Sequence, residues 1–295
     1  MSWLRLTIET TADRVEDLCH LLEQFDAGSI SLSPVSNEAL FDEPDNITQQ
    51  HWQRTAIRAL LDPGIDIDIV TACIRNRIGT DNILALAIDY LPDTDWEHAF
   101  RENFQALEFG GALTIRPSWT APAADEYLSI MLDPGLAFGT GKHPTSSLCL
   151  EWLTRQDVQG LTVIDYGCGS GILSLAAAKL GAASVYAVDI DPQAISAARD
   201  NAANNGLADK VQTLLPDGQE LPEADILLAN ILLNTLLKLA PDFARLVRPG
   251  GHLVLSGITS GQVQECLDCY SRWFAMQTPE HHNEWSLLHG IRLRK

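Results

Sequence analysis

The stretch from Val163 to Pro192 limits what this chain can fold into more than any other. Leu161-Thr-Val-Ile-Asp-Tyr166 is a β-branched run of strand type, and Gly167-Cys-Gly-Ser-Gly171 follows it. Ile172 to Leu180, rich in Ala and Leu and free of breakers, predicts a helix with Gly181 as its C-cap. Ser184-Val-Tyr-Ala-Val-Asp189 then reads as a second strand that ends in an acid. The whole is a βαβ unit with a glycine-rich first turn, which places the chain among α/β folds.

Such a turn lets the backbone approach a ligand, and its N–H groups at a helix N-terminus suit a carboxylate or phosphate. Asp189, about 20 residues beyond the first glycine, is placed to bind ribose hydroxyls. These features fit any adenosine cofactor, and the spacing narrows the choice. Dinucleotide sites use G-x-G-x-x-G, whereas here the glycines fall at every second position and Gly171 precedes Ile172-Leu173. The order Asp165-x-Gly-x-Gly-x-Gly171, with Asp189 beyond, resembles the S-adenosylmethionine site of Rossmann-like methyltransferases. A tight turn without a ligand would explain the glycines alone, but it leaves the second acid unexplained.

A length of 295 residues suggests two domains, each with its own core. No run of eighteen apolar residues occurs, and Glu9 and Asp13 make the N-terminus unlike a signal peptide. The six cysteines are scattered, as expected of reduced thiols, so a cytoplasmic location is expected. The net charge of −19 repels phosphate backbones, so direct nucleic-acid binding is not expected. The same charge would steer a basic partner such as a ribosomal protein, or it would simply maintain solubility.

The first 91 residues carry a doubled pattern. Trp3-Leu-Arg-Leu-Thr-Ile8 alternates as a strand, Ala12 to Phe25 has one apolar helical face, and Ser29 to Ser33 is a second strand. Gln53 to Leu61, a helix from Ile65 to Ile78 and Ile83 to Asp89 repeat the order, giving the β-α-β-β-α-β sequence of a ferredoxin-like domain. Between the halves, residues 35–50 are acidic and polar, as in a loop. Residues 92–125 read as a connection: a helix over 93–106 with Trp96, Phe100 and Phe104 in a stripe, then a short strand stopped by Pro117. The stripe suits packing better than substrate clamping.

Residues 131–147 form a second glycine-rich loop. Gly141-Lys142 suggests a P-loop, but His143 follows the lysine, the spacing from Gly135 is too long, and Asp133-Pro134 breaks any strand leading in. What remains is Thr145, expected to cap a helix from Ser146 to Leu153 and to turn its hydroxyl toward the cofactor's amino-acid end. Beyond the βαβ unit, Asp191-Pro192 opens a helix and Val211 to Leu215 is a third strand, with Asp217 a candidate adenine contact. The continuous apolar run Ala224 to Asn230 is a buried fourth strand that sets Asn230 at the carboxyl edge of the sheet. A helix from Ile231 to Leu246, a strand from His252, a helix from Gln262 to Trp273 and an antiparallel pair at 274–277 and 285–293 complete the chain. Cys266-x-x-Cys269 lacks a second pair at zinc spacing and is read as helix packing, and His281-His282 as an exposed loop.

Leu132-Asp-Pro-Gly-Leu-Ala-Phe-Gly-Thr-Gly-Lys-His-Pro-Thr145, Val163 to Gly171, Asp189-Ile-Asp-Pro192 and Ala229-Asn-Ile-Leu232 together resemble the ribosomal protein L11 methyltransferase family (PrmA). The resemblance implies a Rossmann-like class I S-adenosyl-L-methionine-dependent methyltransferase domain, over 126–295. It also implies a smaller ferredoxin-like α+β domain over 1–91 that recognises the substrate, with a linker over 92–125. The implied substrate is a basic large-subunit ribosomal protein, methylated on its α-amine and lysine amines. By position, Thr145, Gly167, Asp189 and Asn230 would contact the cofactor. Lys142, Gln105-Ala106 and Leu233-Asn234 depart from the family pattern and bear on substrate geometry rather than on cofactor binding. Methyl transfer to nitrogen needs an aligned neutral amine, and Asn230 is the candidate to orient it; no general base is evident. A methyltransferase for another protein or small amine, and a non-enzymatic binding module, are the alternatives.

Overall fold

A computed structural model of the protein describes residues 2–35, 51–91, 106–120, 128–133, 141–216 and 220–294. The polar segment 36–50, the aromatic stripe Trp96, Phe100 and Phe104, residues 134–140 and Asp217 lie outside the described residues. The chain divides into two compact units, Met1–Glu102 and Asn103–Lys295.

In the first unit the elements are β1 (Trp3–Thr11), α1 (Val15–Gln24), β2 (Ser29–Pro34), β3 (Arg54–Leu61), α2 (Ile67–Ile78) and β4 (Ala85–Leu91). They build an antiparallel sheet of order β2-β3-β1-β4, the ferredoxin-like arrangement. Strand alternation sends Leu4, Leu6 and Ile8 to the helix side, where Leu18 and Leu22 of α1 and Val70 and Ile74 of α2 close the core. Helix α2 begins two residues later than its apolar pattern suggests, because the Asp66 carboxylate caps it by accepting from the Asp68 and Ile69 N–H groups.

The second unit opens with β5 (Leu107–Phe109), β6 (Leu113–Arg116) and β7 (Leu128–Met131). Next come α3 (Pro144–Thr154), β8 (Thr162–Tyr166), α4 (Ile172–Lys179), β9 (Ser184–Val188), α5 (Pro192–Asn204), β10 (Val211–Leu214) and β11 (Ala224–Asn230). The rest is α6 (Leu233–Leu246), β12 (Val247–Thr259), α7 (Val263–Tyr270), β13 (Phe274–Met276), β14 (Glu280–His282) and β15 (Trp285–Arg292). The main sheet runs β10-β9-β8-β11-β12-β15-β13, with β14 paired to β15. Strands β10 to β12 are parallel and β15 is antiparallel to both its neighbours on that path, giving the expected Rossmann-like methyltransferase topology. Both faces are covered, so β8 and β11 are apolar on both sides: Val163 and Leu228 pack with α3 and α4, Ile164 and Leu227 with α6.

The structure alters three expectations. Residues 107–116 are not a bare connection: β5 and β6 form a hairpin, β6 pairs with β7 in parallel, and Phe109, Leu113, Ile115 and Ile130 share a core with α3. Their apolar face has to be covered, and the surface of α3 and α4 covers it. The side chain of Asn205 reinforces this union, accepting from the Met131 N–H and donating to its carbonyl, both at 2.7 Å. His281-His282 lies in β14 rather than in a loop, with His281 Nδ1 at 2.8 Å from the Ser286 hydroxyl. The fifth strand starts at Val247, not His252, and absorbs Arg248-Pro-Gly-Gly through a register shift against β11. Cys266 faces the core on α7, where burial pushes its thiol up to about 12. Among the described residues no three His, Cys, Asp or Glu side chains group as metal ligands, and no helix is long and apolar enough to cross a membrane.

Candidate functional site

The strand order reverses between β8 and β11: from β8 the sheet grows through β9 to β10 on one side and through β11 to β12 on the other. Helices leave the carboxyl ends of these strands toward opposite faces, so a crevice opens there, where open α/β sheets bind ligands. Residues 166–171, 189–191 and 230–232 meet at that edge.

The turn after β8 is shaped by positive φ. Gly167 has φ +79°, and a Cβ there would run into the Ile231 side chain, which enters from the end of β11. Gly171, also at φ +79°, caps α4, and its missing Cβ admits Ala198 of α5. The turn's first amides are already committed. The N–H groups of Gly167 and Cys168 both donate to the Val188 carbonyl, at 2.7 and 3.0 Å. That of Gly169 donates to Asp189 Oδ2 at 2.9 Å. The turn is therefore a device for holding the end of β9 rather than a cradle of open amides for a phosphate.

Asp189 receives a second bond on its other oxygen, from the Asp191 N–H at 3.0 Å. A carboxylate has about four acceptor positions, so two backbone donors fix its plane and leave capacity on both oxygens for hydroxyls. Beside it stand apolar side chains turned to solvent: Ile190 is 80% and Leu215 45% exposed, at the ends of the adjacent strands β9 and β10. Exposed apolar groups flanking a fixed carboxylate suit a flat base and its ribose.

Beneath the turn, Asp165 of β8 is 1% exposed, and its Oδ2 accepts from the Ser174 N–H at 3.0 Å and from the Ser174 hydroxyl at 2.6 Å. Burial, only partly offset by Ser174, pushes its carboxyl up to about 6. It braces the start of α4 against β8.

The other wall begins at α3. Its cap is His143, not Thr145: Pro144 occupies the first helical position, and His143 Nδ1 accepts from the Thr145 N–H at 3.4 Å. Thr145 lies inside the first turn, 2% exposed, with its hydroxyl 2.7 Å from the same nitrogen. The next residue, Ser146, is also buried, and its hydroxyl accepts from the Asn230 side-chain N–H at 3.3 Å. Asn230 ends β11 opposite Ser256 of β12, with its side chain half-buried.

Thr145, Gly167, Asp189 and Asn230 thus converge on one edge through short links: Thr145 to Asn230 by way of Ser146, Gly167 to the Asn230 neighbour Ile231, and the glycine turn to Asp189. His143, Ser146 and Asp165 carry positions that sequence reasoning left without a role. The cap alone had a local signal, in Pro144 at the first helical position. The groups present fit an adenosine cofactor: a braced carboxylate with apolar flanks on one side, and hydroxyl and amide groups on the other.

Comparisons with known proteins show the family of the chain. The family described as ribosomal protein L11 methyltransferase (PrmA) matches residues 2–292. The ribosomal protein L11 methyltransferase of Marinobacter nauticus is 45% identical over 296 aligned residues, covering 99% of each chain. Its counterpart from Escherichia coli is 42% identical across 98% of this chain and 99% of its own. A crystal structure of ribosomal protein L11 methylase from Lactobacillus delbrueckii subsp. bulgaricus, 33% identical, superimposes with a TM-score of 0.59 over 65% of this chain and 100% of that one.

Proposed function

The chain belongs to the ribosomal protein L11 methyltransferase family, and on that premise we propose that it methylates amino groups of ribosomal protein L11, both the α-amine and lysine side chains. S-adenosyl-L-methionine is the expected cofactor, and when bound it supplies an electrophilic methyl group on a sulfonium. Asp189 binds the ribose hydroxyls through its remaining acceptor capacity. Gly167 keeps the backbone close to the ligand, and Thr145 lies toward the methionine end. Thr145 is almost fully buried in the first turn of α3.

The observation that carries the reading is the Ser146–Asn230 bond beside the turn-held Asp189. One Asn230 N–H is given to Ser146, and the amide oxygen is the group on that side chain able to accept from an amine. An amine N–H bound there points its lone pair along a fixed direction, which is what an in-line displacement requires. Lysine must first lose a proton from its ordinary pKa of about 10.4, and a desolvated acceptor position would favour the neutral form. The acidic surface, with a net charge of −19, attracts a basic protein over a nucleic acid. In this reading the ferredoxin-like unit is the platform for protein recognition.

Mass spectrometry of purified ribosomal protein L11, after incubation with this protein and S-adenosylmethionine, tests the proposal. Gains in steps of one methyl, localised to amines, are expected. Cofactor binding without any gain would move the acceptor to another protein or a small amine. Absence of cofactor binding would remove the methyltransferase reading itself.

A further inference from the structure

The family reading leaves unexplained why the segment entering α3 is closed by a histidine. Asn, Asp and Ser cap helices more commonly. Among its contacts, His143 reaches Thr145 and Trp285. Its Nδ1 accepts from the Thr145 N–H at 3.4 Å and meets the Thr145 hydroxyl at 2.7 Å. Its ring packs edge-on against Trp285 of β15 with centroids 4.8 Å apart.

The contact with the Thr145 N–H selects one tautomer. A backbone N–H can only donate, so Nδ1 must offer a lone pair and the ring proton resides on Nε2. The Thr145 hydroxyl must then donate to that nitrogen as well. A neutral His143 therefore holds both polar groups of Thr145, and with them the first turn of α3. The following residue, Ser146, is the one whose hydroxyl fixes the Asn230 amide.

We infer that His143 is a positioning residue for methyl transfer: its neutral imidazole caps the turn that presents Ser146 to Asn230, and so sets the aim of the amine-orienting amide. This rests on the proposed role of Asn230. It goes beyond that role by coupling the aim of the amide to the protonation of a second side chain. Protonation would place an N–H on Nδ1, evict the Thr145 backbone N–H, reverse the bond to the Thr145 hydroxyl and set a positive charge at a helix N-terminus, where the macrodipole disfavours it. The charged groups about the ring act in opposite senses: burial lowers its pKa below the ordinary value, and Glu284, from the turn between β14 and β15, partly restores it. Lys142 precedes it on its own segment, and Trp285, from β15, is uncharged.

The test compares wild type with His143→Asn and His143→Ala on one acceptor. Asparagine keeps an acceptor at the capping position without titrating. Acceptor-amine ionisation affects all three proteins alike and cancels in the ratio of their kcat/KM values. Near pH 8 His143→Asn should retain activity within about threefold and His143→Ala should lose about tenfold, mainly in kcat. As the pH is lowered from 7.5 the wild-type rate should fall further than that of His143→Asn, by about tenfold for each unit below the pKa of His143. A ratio constant with pH, in protein shown folded by circular dichroism, overturns the inference. A second measurement does not depend on activity: nitrogen NMR of the labelled histidines in the full chain should show His143 Nδ1 unprotonated at neutral pH. A proton on Nδ1 also overturns it. Failure of wild type to methylate any amine, with Nδ1 unprotonated, would instead strike the proposed function and take this role down with it.

Discussion

At the β9 end of the crevice the carboxylate of Asp189 is held by backbone N–H groups, from Gly169 at 2.9 Å and Asp191 at 3.0 Å. At the β11 end the amide of Asn230 is held by a side chain, the Ser146 hydroxyl at 3.3 Å, whose helical turn is capped by another side chain. The first arrangement is charge-assisted, and no side-chain truncation in the turn can delete its donors. The second is neutral and longer, each link worth about 1 kcal/mol. Its links can be removed singly by mutation. The cofactor end is built to hold regardless of side chains, and the acceptor end is built from replaceable parts. Binding and turnover should therefore separate under mutation.

The largest effect is expected from Asn230→Ala. Turnover should fall about a hundredfold, roughly 2.7 kcal/mol in the barrier, while S-adenosylmethionine affinity measured by titration calorimetry changes less than about threefold. Equal losses in both would merge the two ends and reduce Asn230 to a cofactor contact. Next is Asp189→Ala, for which cofactor affinity should weaken at least about tenfold, or 1.4 kcal/mol. Unchanged affinity there would remove the ribose role. Ser146→Ala should lower kcat by about fivefold, consistent with one neutral hydrogen bond. Added to Asn230→Ala it should cost little more, because the two act as one unit. A fully additive double mutant would show that Ser146 serves only the helix.

The smallest effect on catalysis is expected from Asp165→Asn, within about twofold in kcat, and its signature lies in stability. Asp165 is raised to about 6 in the fold from an ordinary value of 3.8, so the folded chain holds this proton more tightly than the unfolded one. Its contribution to stability is present at acid pH and is lost as pH rises from about 4 to 6. The asparagine variant should lack that decline and gain on wild type above pH 6, read as a melting temperature against pH. Parallel wild-type and variant curves would show that Asp165 is solvated or neutralised by another route.

Legibility follows the range of the forces. The strand Thr162–Tyr166, the glycine turn and the helix from Ile172 are specified by neighbouring residues, through propensity and positive φ, so the βαβ unit and the places of Gly167 and Asp189 could be read from the chain. The ferredoxin-like order was equally readable, since alternation and helical periodicity are local patterns. Where reasoning went astray, the deciding partner was distant or the competing residues were adjacent. Thr145 and His143 both could cap α3, and Pro144 at the first helical position gave the task to His143. Residues 107–116 looked like a connection because the core that covers them is assembled from helices that follow later in the chain.

By itself, then, the sequence determined the two-unit α/β architecture, the glycine turn, the acid at the end of β9 and the asparagine at the end of β11, because periodicity, propensity and backbone sterics act over a few residues. Only the tertiary structure decided how these groups are held. The Ser146–Asn230 bond joins positions 84 residues apart, and the Asn205 clasp on Met131 spans 74. The Asp165 carboxyl is raised because packing withdraws it from water. Burial and long-range hydrogen bonds arise only once the chain has closed on itself, so no local pattern records them.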